Sequence, residues 1–266
     1  MSVKVYVLTH KKIEEKYDSS LYVPLLNGSA LLDNDFGYLR DDSGDNISEL
    51  NIYYAELTGQ YWAWKNSNEE IIGFCQYRRW FVRNLKFDKL TGEDIQKDLE
   101  KYDIILPKKT VPNDSLENGI KKSLKNNPNY GAKWEDYLKL EEIIKNKFPT
   151  YYPEYVKVMA GKGAYNCNMF ICKKELADEY FSWLFSVLQE LKGKIDFSSY
   201  SENNQRVLGF FSEYLLTVFV YTHNLKIKEH YMINVERKFP ILSILISRFP
   251  LIHSIETKIF YLKSKH

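Results

Sequence analysis

Three short stretches carry side chains able to do chemistry. The first, Asp41 to Ser48 (D-D-S-G-D-N-I-S), sets carboxylates and a glycine on a loop that feeds a helix. A helix N-terminus offers free backbone N–H groups and the positive end of a dipole, which suits a phosphate. The same aspartates suit a metal ion or ribose hydroxyls, and equally a plain acidic turn before a well-capped helix. The second, Gln76 to Phe81 (Q-Y-R-R-W-F), stands at the carboxyl end of an apolar run. Ligands of α/β sheets bind at such ends, and guanidinium forks match phosphate oxygens bidentately. Side chains alternate along a strand, so one of Arg78 and Arg79 is expected at a ligand and the other on a structural carboxylate. Two structural ion pairs are the alternative. The third joins Arg206 to Gly209-Phe210-Phe211-Ser212-Glu213. Glu213 there reads as a positioned general base, or as an ordinary, partly exposed helix glutamate. His10, His223, His230 and His253 lack metal-ligand spacing and read as structural. No nucleophile elbow, Walker A loop or G-x-G-x-x-G occurs, which argues against hydrolase, kinase and dehydrogenase chemistry.

The elements that must position these residues alternate along the chain. Apolar, β-branched runs predict strands at Val3 to Leu8, Tyr22 to Leu26, Ile71 to Tyr77 (running on into Arg78-Arg79-Trp80-Phe81), Asp103 to Pro107 and Tyr165 to Cys172. Leu225 to His230 alternates like a half-exposed strand. Asn46, with Glu49 three residues on, predicts a capping box that opens one helix lasting to Lys65-Asn66. Its stripe is Leu50, Tyr53, Tyr54, Leu57, Tyr61 and Trp64. Further helices are expected over Thr91 to Lys101, Trp134 to Lys147, Leu176 to Leu191 and about Asn203 to Tyr221, and a loop or insertion over Lys108 to Ala132. Strands alternating with longer helices imply an α/β layered domain with a largely parallel sheet.

Composition narrows the class. The 266 residues hold 37 Lys+Arg against 35 Asp+Glu, a net charge of +2, which argues against a global grip on nucleic acid. Aromatic residues make up 15%, a density that suits sugar stacking and ordinary cores alike. Cys75, Cys167 and Cys172 show no paired or metal-ligand spacing and are expected to be free thiols in a reducing compartment. Met1 to His10 lacks the features of a signal peptide, and no apolar run reaches the ~18 residues that span a bilayer. A cytoplasmic protein, soluble or at the inner face of the membrane, is expected.

The combination of motifs resembles a bacterial family from capsular-polysaccharide and O-antigen gene clusters. Its residues here are Asp42 to Ser48 (D-S-G-D-N-I-S), Asn51, Glu56 to Thr58 (E-L-T), Tyr61 to Asn66 (Y-W-A-W-K-N) and Gly73 to Phe81 (G-F-C-Q-Y-R-R-W-F). Tyr165 to Ile171, Trp183-Leu184-Phe185 and Arg206 to Glu213 match its second half. The resemblance runs from about Val3 to Glu236. Gln76 departs from a usual His, which removes a proton-transfer group, and Tyr214 departs from a usual Arg, which removes a cation.

That resemblance implies a glycosyltransferase of the A-type fold: Rossmann-like, with a mixed, mostly parallel central sheet flanked by helices. The implied reaction moves galactose, in pyranose or furanose form, from a UDP-sugar to a lipid-linked oligosaccharide, with inversion. Glu213 is the implied base, with Asp42 and Asp45 behind it. Thr9, His10, Asp45, Asn46, Lys65, Gln76, Arg78 and Arg79 are the expected donor-binding residues, and Asn166, Asn168 and Arg206 the acceptor-binding ones. Tyr61, Trp62 and Trp64 line a sugar pocket or the core. The only D-x-D spacing, Asp33-Asn34-Asp35, lies outside the family motif, so Arg side chains rather than Mn²⁺ or Mg²⁺ are expected at the diphosphate. The rival from another class is a non-catalytic sugar-binding or scaffold protein of a polysaccharide assembly complex. Residues 1–236 read as the catalytic domain. The helical tail 237–266 carries Arg237, Lys238, Arg248, Lys258, Lys263 and Lys265 against Glu256 alone, among many Ile, Leu and Phe. It reads as an interfacial anchor on anionic lipid, or as a cover for the core or a dimer interface.

Overall fold

The computed structural model describes residues 1–109, 111–127 and 131–237. The tail 238–266 lies outside the described residues, and so does the anchor reading placed on it.

Eight strands form the sheet: β1 (Val3–Thr9), β2 (Tyr22–Leu26), β3 (Leu39–Arg40), β4 (Ile71–Gln76), β5 (Arg79–Val82), β6 (Ile104–Pro107), β7 (Phe170–Lys173) and β8 (Ile227–Asn234). One half is parallel, as the sequence predicts, and adds β3, a strand that the sequence does not announce. β3, β2, β1 and β4 lie side by side and parallel, with Val5 opposite Tyr22 and Gly73. The other half is mixed and closes on itself. β4 pairs antiparallel with both β5 and β7, β5 with β8 and β7 with β6 also antiparallel, and β8 with β6 parallel. The expected open, mostly parallel sheet is therefore a parallel wing joined to a closed ring of five strands.

Two local features make the ring. The run read as one strand through Phe81 folds back at Tyr77-Arg78, and Gln76 pairs with Arg79. Gly73 lets β4 and β7 approach, since a Cβ there would stand 2.6 Å from Ile171 Cγ1.

The helices are α1 (Asn51–Tyr54), α2 (Leu57–Asn66), α3 (Gly92–Leu99), α4 (Leu116–Asn126), α5 (Trp134–Lys147), α6 (Tyr152–Ala160), α7 (Lys174–Lys192) and α8 (Val207–Thr222). The expected single helix from Asn46 to Asn66 is three pieces: a 3₁₀ turn over Ser48–Leu50, then α1, then α2. Ala55 breaks it with φ 49, in the left-handed region. There is no capping box at its start. Asn46 instead accepts from the Ser48 N–H and donates to the Gly44 carbonyl. The expected loop at Lys108 to Ala132 contains α4. Alternation along β1 and β4 feeds two cores. Tyr6, Leu8, Ile72 and Phe74 pack with α2, α7 and α8 on one face, while Val5, Val7, Ile71 and Cys75 pack with α3 and Trp80 on the other.

Candidate active site

The parallel strands carry their carboxyl ends to one rim. β1 delivers Thr9, His10 and Lys11, β4 delivers Gln76 to Arg78, and β8 delivers Asn234 to Glu236. The antiparallel strands β5 and β7 begin on that rim, so Arg79 and the segment 166–169 stand there too. Helices α2 and α8 each run back toward the start of the next strand, which leaves Glu56 and Arg206, at their N-termini, on the rim as well.

Glu213 and Glu56 meet in this setting. The Glu213 carboxyl is pushed up to about 7, first by burial and then by the charge of Glu56, while Arg79 and the Cys167 backbone N–H pull it down. Glu56 is held in place by Asn168, whose Nδ2 donates to Glu56 Oε1 at 2.8 Å and to the Gly209 carbonyl at 3.3 Å. Ser212 donates to Asn168 Oδ1 at 3.0 Å, so the buried amide is fully engaged. A Cβ on Gly209 would lie 3.7 Å from Glu56 Oε2, one helical turn before Glu213. Cys167 and Asn168 reach this arrangement with φ values of 75 and 50. The expected strand from Tyr165 accordingly starts only at Phe170.

Cations complete the rim. Gln76 donates from Nε2 to the Cys167 carbonyl at 2.9 Å and accepts from Arg79 Nη1. Arg79 is thereby held at the strand end, close enough for its charge to act on Glu213. Arg78 faces Glu236 at 3.8 Å. Exposed Arg206 occupies the N-cap position of α8 without a side-chain cap hydrogen bond, and its guanidinium lies 5.8 Å from the Phe210 ring. His10 sits edge-on to the Tyr77 ring at 5.2 Å, and its imidazole is pushed below the usual range by burial and by Lys11, Arg78 and Arg206. A half-buried base beside guanidiniums can take a proton from a hydroxyl while positive charge stabilises a departing anion.

The other expected residues lie elsewhere or act locally. Asp42 is closed in a 2.6 Å ion pair with Arg40, which holds its carboxyl below the ordinary range. Its neighbour Asp41 is fully buried and accepts from Gly28 N, Ser29 N and Ser48 Oγ, a structural role. Asp45 accepts from Tyr61 Oη at 3.1 Å and Lys65 lies 3.5 Å over the Trp64 ring, both toward the end of α2 that leads into the start of β4. Asp45, Asn46 and Lys65 are therefore not brought together with Glu213. Thr9 is buried with its hydroxyl donating to the Lys11 carbonyl, and Asn166 is exposed. Trp64 stacks on Phe185 of α7 and Trp62 meets Tyr6 edge-on, so these rings are core. Asp33-Asn34-Asp35 closes local turns through Asn34 and Asp35.

Glu56, Lys11 and Glu236 belong to the rim without having been singled out for chemistry. The only sequence signal for Glu56 was its place at the head of E-L-T. Among the described residues, no group of three or more His, Cys, Asp or Glu side chains could hold a metal ion.

A parallel wing whose carboxyl ends bring Arg78 and Arg79 near the helix-borne carboxylates Glu56 and Glu213 defines an α/β protein with a polar, anion-compatible rim. Residues 4–224 match the model of a family described as a domain of unknown function, DUF4422, and the chain belongs to that family. No curated protein matches it. Among solved structures it is similar to the apo structure of WbbM, described as a bifunctional glycosyltransferase, at 29% identity and a TM-score of 0.76. The match covers 89% of this chain and 46% of that one, so the chain spans less than half of WbbM's length.

Proposed function

We propose that the chain is a glycosyltransferase, using a UDP-sugar as donor and a lipid-linked oligosaccharide as acceptor. The observation that carries the reading is the placement of Glu213, with its carboxyl near 7, beside Arg79 at the carboxyl end of the parallel wing. The 29% identity to a bifunctional glycosyltransferase over most of the chain supports it. In the proposed step the acceptor oxygen attacks the anomeric carbon and its proton passes to Glu213. The bond from that carbon to the diphosphate breaks, and the leaving charge is met by Arg78 and Arg79. One carboxylate opposite the leaving group gives inversion. Galactose, as pyranose or furanose, is the proposed sugar. Arg side chains, rather than a divalent cation, are proposed to neutralise the diphosphate, so a chelator is expected to leave turnover intact.

Calorimetry with UDP tests the donor half. Alanine at the Arg that holds the diphosphate is expected to weaken binding by about 1.5–3 kcal/mol, as for a hydrogen bond to a charged group. Unchanged affinity in both Arg78→Ala and Arg79→Ala removes the clamp. UDP release with candidate sugars and acceptors tests the transfer. Binding without release points to a sugar-binding protein.

A further inference from the structure

The Glu236 carboxylate stands between two cations on the rim, 2.5 Å from Lys11 Nζ and 3.8 Å from Arg78 Nη1. Both cations share one aromatic neighbour: Lys11 Nζ lies 4.6 Å and the Arg78 guanidinium 5.7 Å from the centroid of the Tyr77 ring. The Glu236 carboxyl is held below its ordinary range, mainly by Lys11. Arg78 is not fully used by this contact, since its buried Nε has no hydrogen-bond partner among the described residues. The three side chains are 39–47% exposed, and ion pairs that wet contribute little. They exchange readily for an anion of higher charge that offers more acceptor oxygens to a guanidinium.

We infer that Lys11 and Arg78, flanking Tyr77, form an anion subsite for a diphosphate ester, and that Glu236 is the internal anion which this ligand displaces. The inference rests on the proposed function for the identity of the ligand as a diphosphate. It adds Lys11 as a ligand-binding residue and gives Glu236 the part of a competitor. Residue 236 lies two positions past β8, and the Val235 N–H donates to the Arg78 carbonyl at 2.9 Å, so displacement frees the Glu236 side chain while the strand end stays paired. A diphosphate ester enters the proposed reaction from two sources, the nucleotide sugar and the lipid carrier, and the same chemistry would recognise either.

The test is calorimetry on the intact chain with two probes, UDP and geranyl diphosphate, using wild type, Glu236→Gln and Lys11→Met. Glu236→Gln keeps the shape and removes the competing charge. It is expected to bind one probe about two- to fivefold tighter, the size of an exposed ion pair. Lys11→Met is expected to bind the same probe more weakly by at least as much. A gain confined to UDP assigns the subsite to the donor, and one confined to geranyl diphosphate assigns it to the lipid carrier. If wild type binds UDP but Glu236→Gln binds both probes no tighter, the displaced anion is overturned while the donor reading stands. If wild type binds neither probe, the subsite and the proposed donor fall together.

Discussion

Glu213 divides between acid and carboxylate near neutral pH because its carboxyl is pushed up to about 7. A general base is most effective with a midpoint near the working pH, and only the ionised form accepts a proton. Turnover is therefore expected to rise with pH through about 7 in a kcat profile. Glu213→Gln keeps the shape and removes the acceptor. It is expected to lose about 10²–10⁴ in kcat with UDP still bound, and retained turnover would move the role away from this residue. Stability has the opposite sign. A carboxyl raised in the folded state favours the fold below its unfolded midpoint, and that contribution is lost as pH rises through the folded one. Thermal unfolding should thus show Glu213→Gln gaining on wild type between about pH 4.5 and 7. Glu56 contributes to the shift by charge, so Glu56→Gln is expected to move the kcat midpoint downward. A midpoint that stays put, or rises, would separate the two carboxylates.

At the level of elements, the loop before β7 ties the rim residues together. Asn168 bonds Glu56, the Gly209 carbonyl and Ser212 from a buried position. Asn168→Ala leaves those groups without their partner and keeps the unfavourable φ of 50. It is expected to cost about 1–3 kcal/mol per buried group left unsatisfied, read as a lowered midpoint in denaturant, and to lower kcat by releasing Glu56. Wild-type stability in this variant would show that the loop is held by other means. The sequence makes the strongly periodic elements legible. α5 is found at Trp134–Lys147 as expected, and α7 extends the expected Leu176 to Leu191 by a residue or two at each end, because a continuous apolar stripe fixes a helix face whatever its neighbours. The breaks are not legible. Ala55 and Cys167 take left-handed φ values that their residue types do not announce, and tertiary contacts impose them, while Asn168 is of a type that tolerates its φ of 50. The fold-back at Tyr77-Arg78 is hidden because the run stays apolar on both sides of it. Glu213 could be singled out by its spacing from Arg206, whereas Glu56 gains its place only when α2 and α8 meet over Asn168.

The whole molecule poses a problem of access. The lipid-linked acceptor proposed for this chain would sit at a membrane surface, while no helix among the described residues is long and apolar enough to cross a membrane. The described body ends at Arg237, just past the rim that carries Glu236 and Arg78. Sequence places six basic residues against one acidic over Arg237 to His266, among Ile241, Leu242, Ile244, Leu245, Ile246, Phe249, Leu251 and Ile252. From the sequence, Pro250 is expected to break or kink any helix there, which favours two short helices over one. Such a basic, apolar, non-spanning segment gains from both headgroup charge and acyl contact. Attached where the rim ends, it would hold the rim against a leaflet presenting the proposed acceptor. Co-sedimentation with vesicles checks this. The intact chain is expected to pellet with anionic vesicles at low salt and to be released as salt screens the attraction. A version ending at Arg237 is expected to stay in solution while keeping its affinity for UDP, since every rim residue remains. If the intact chain stays in the supernatant at low salt, or the shortened one unfolds, the segment is structural and the proposed acceptor must reach the rim by another route.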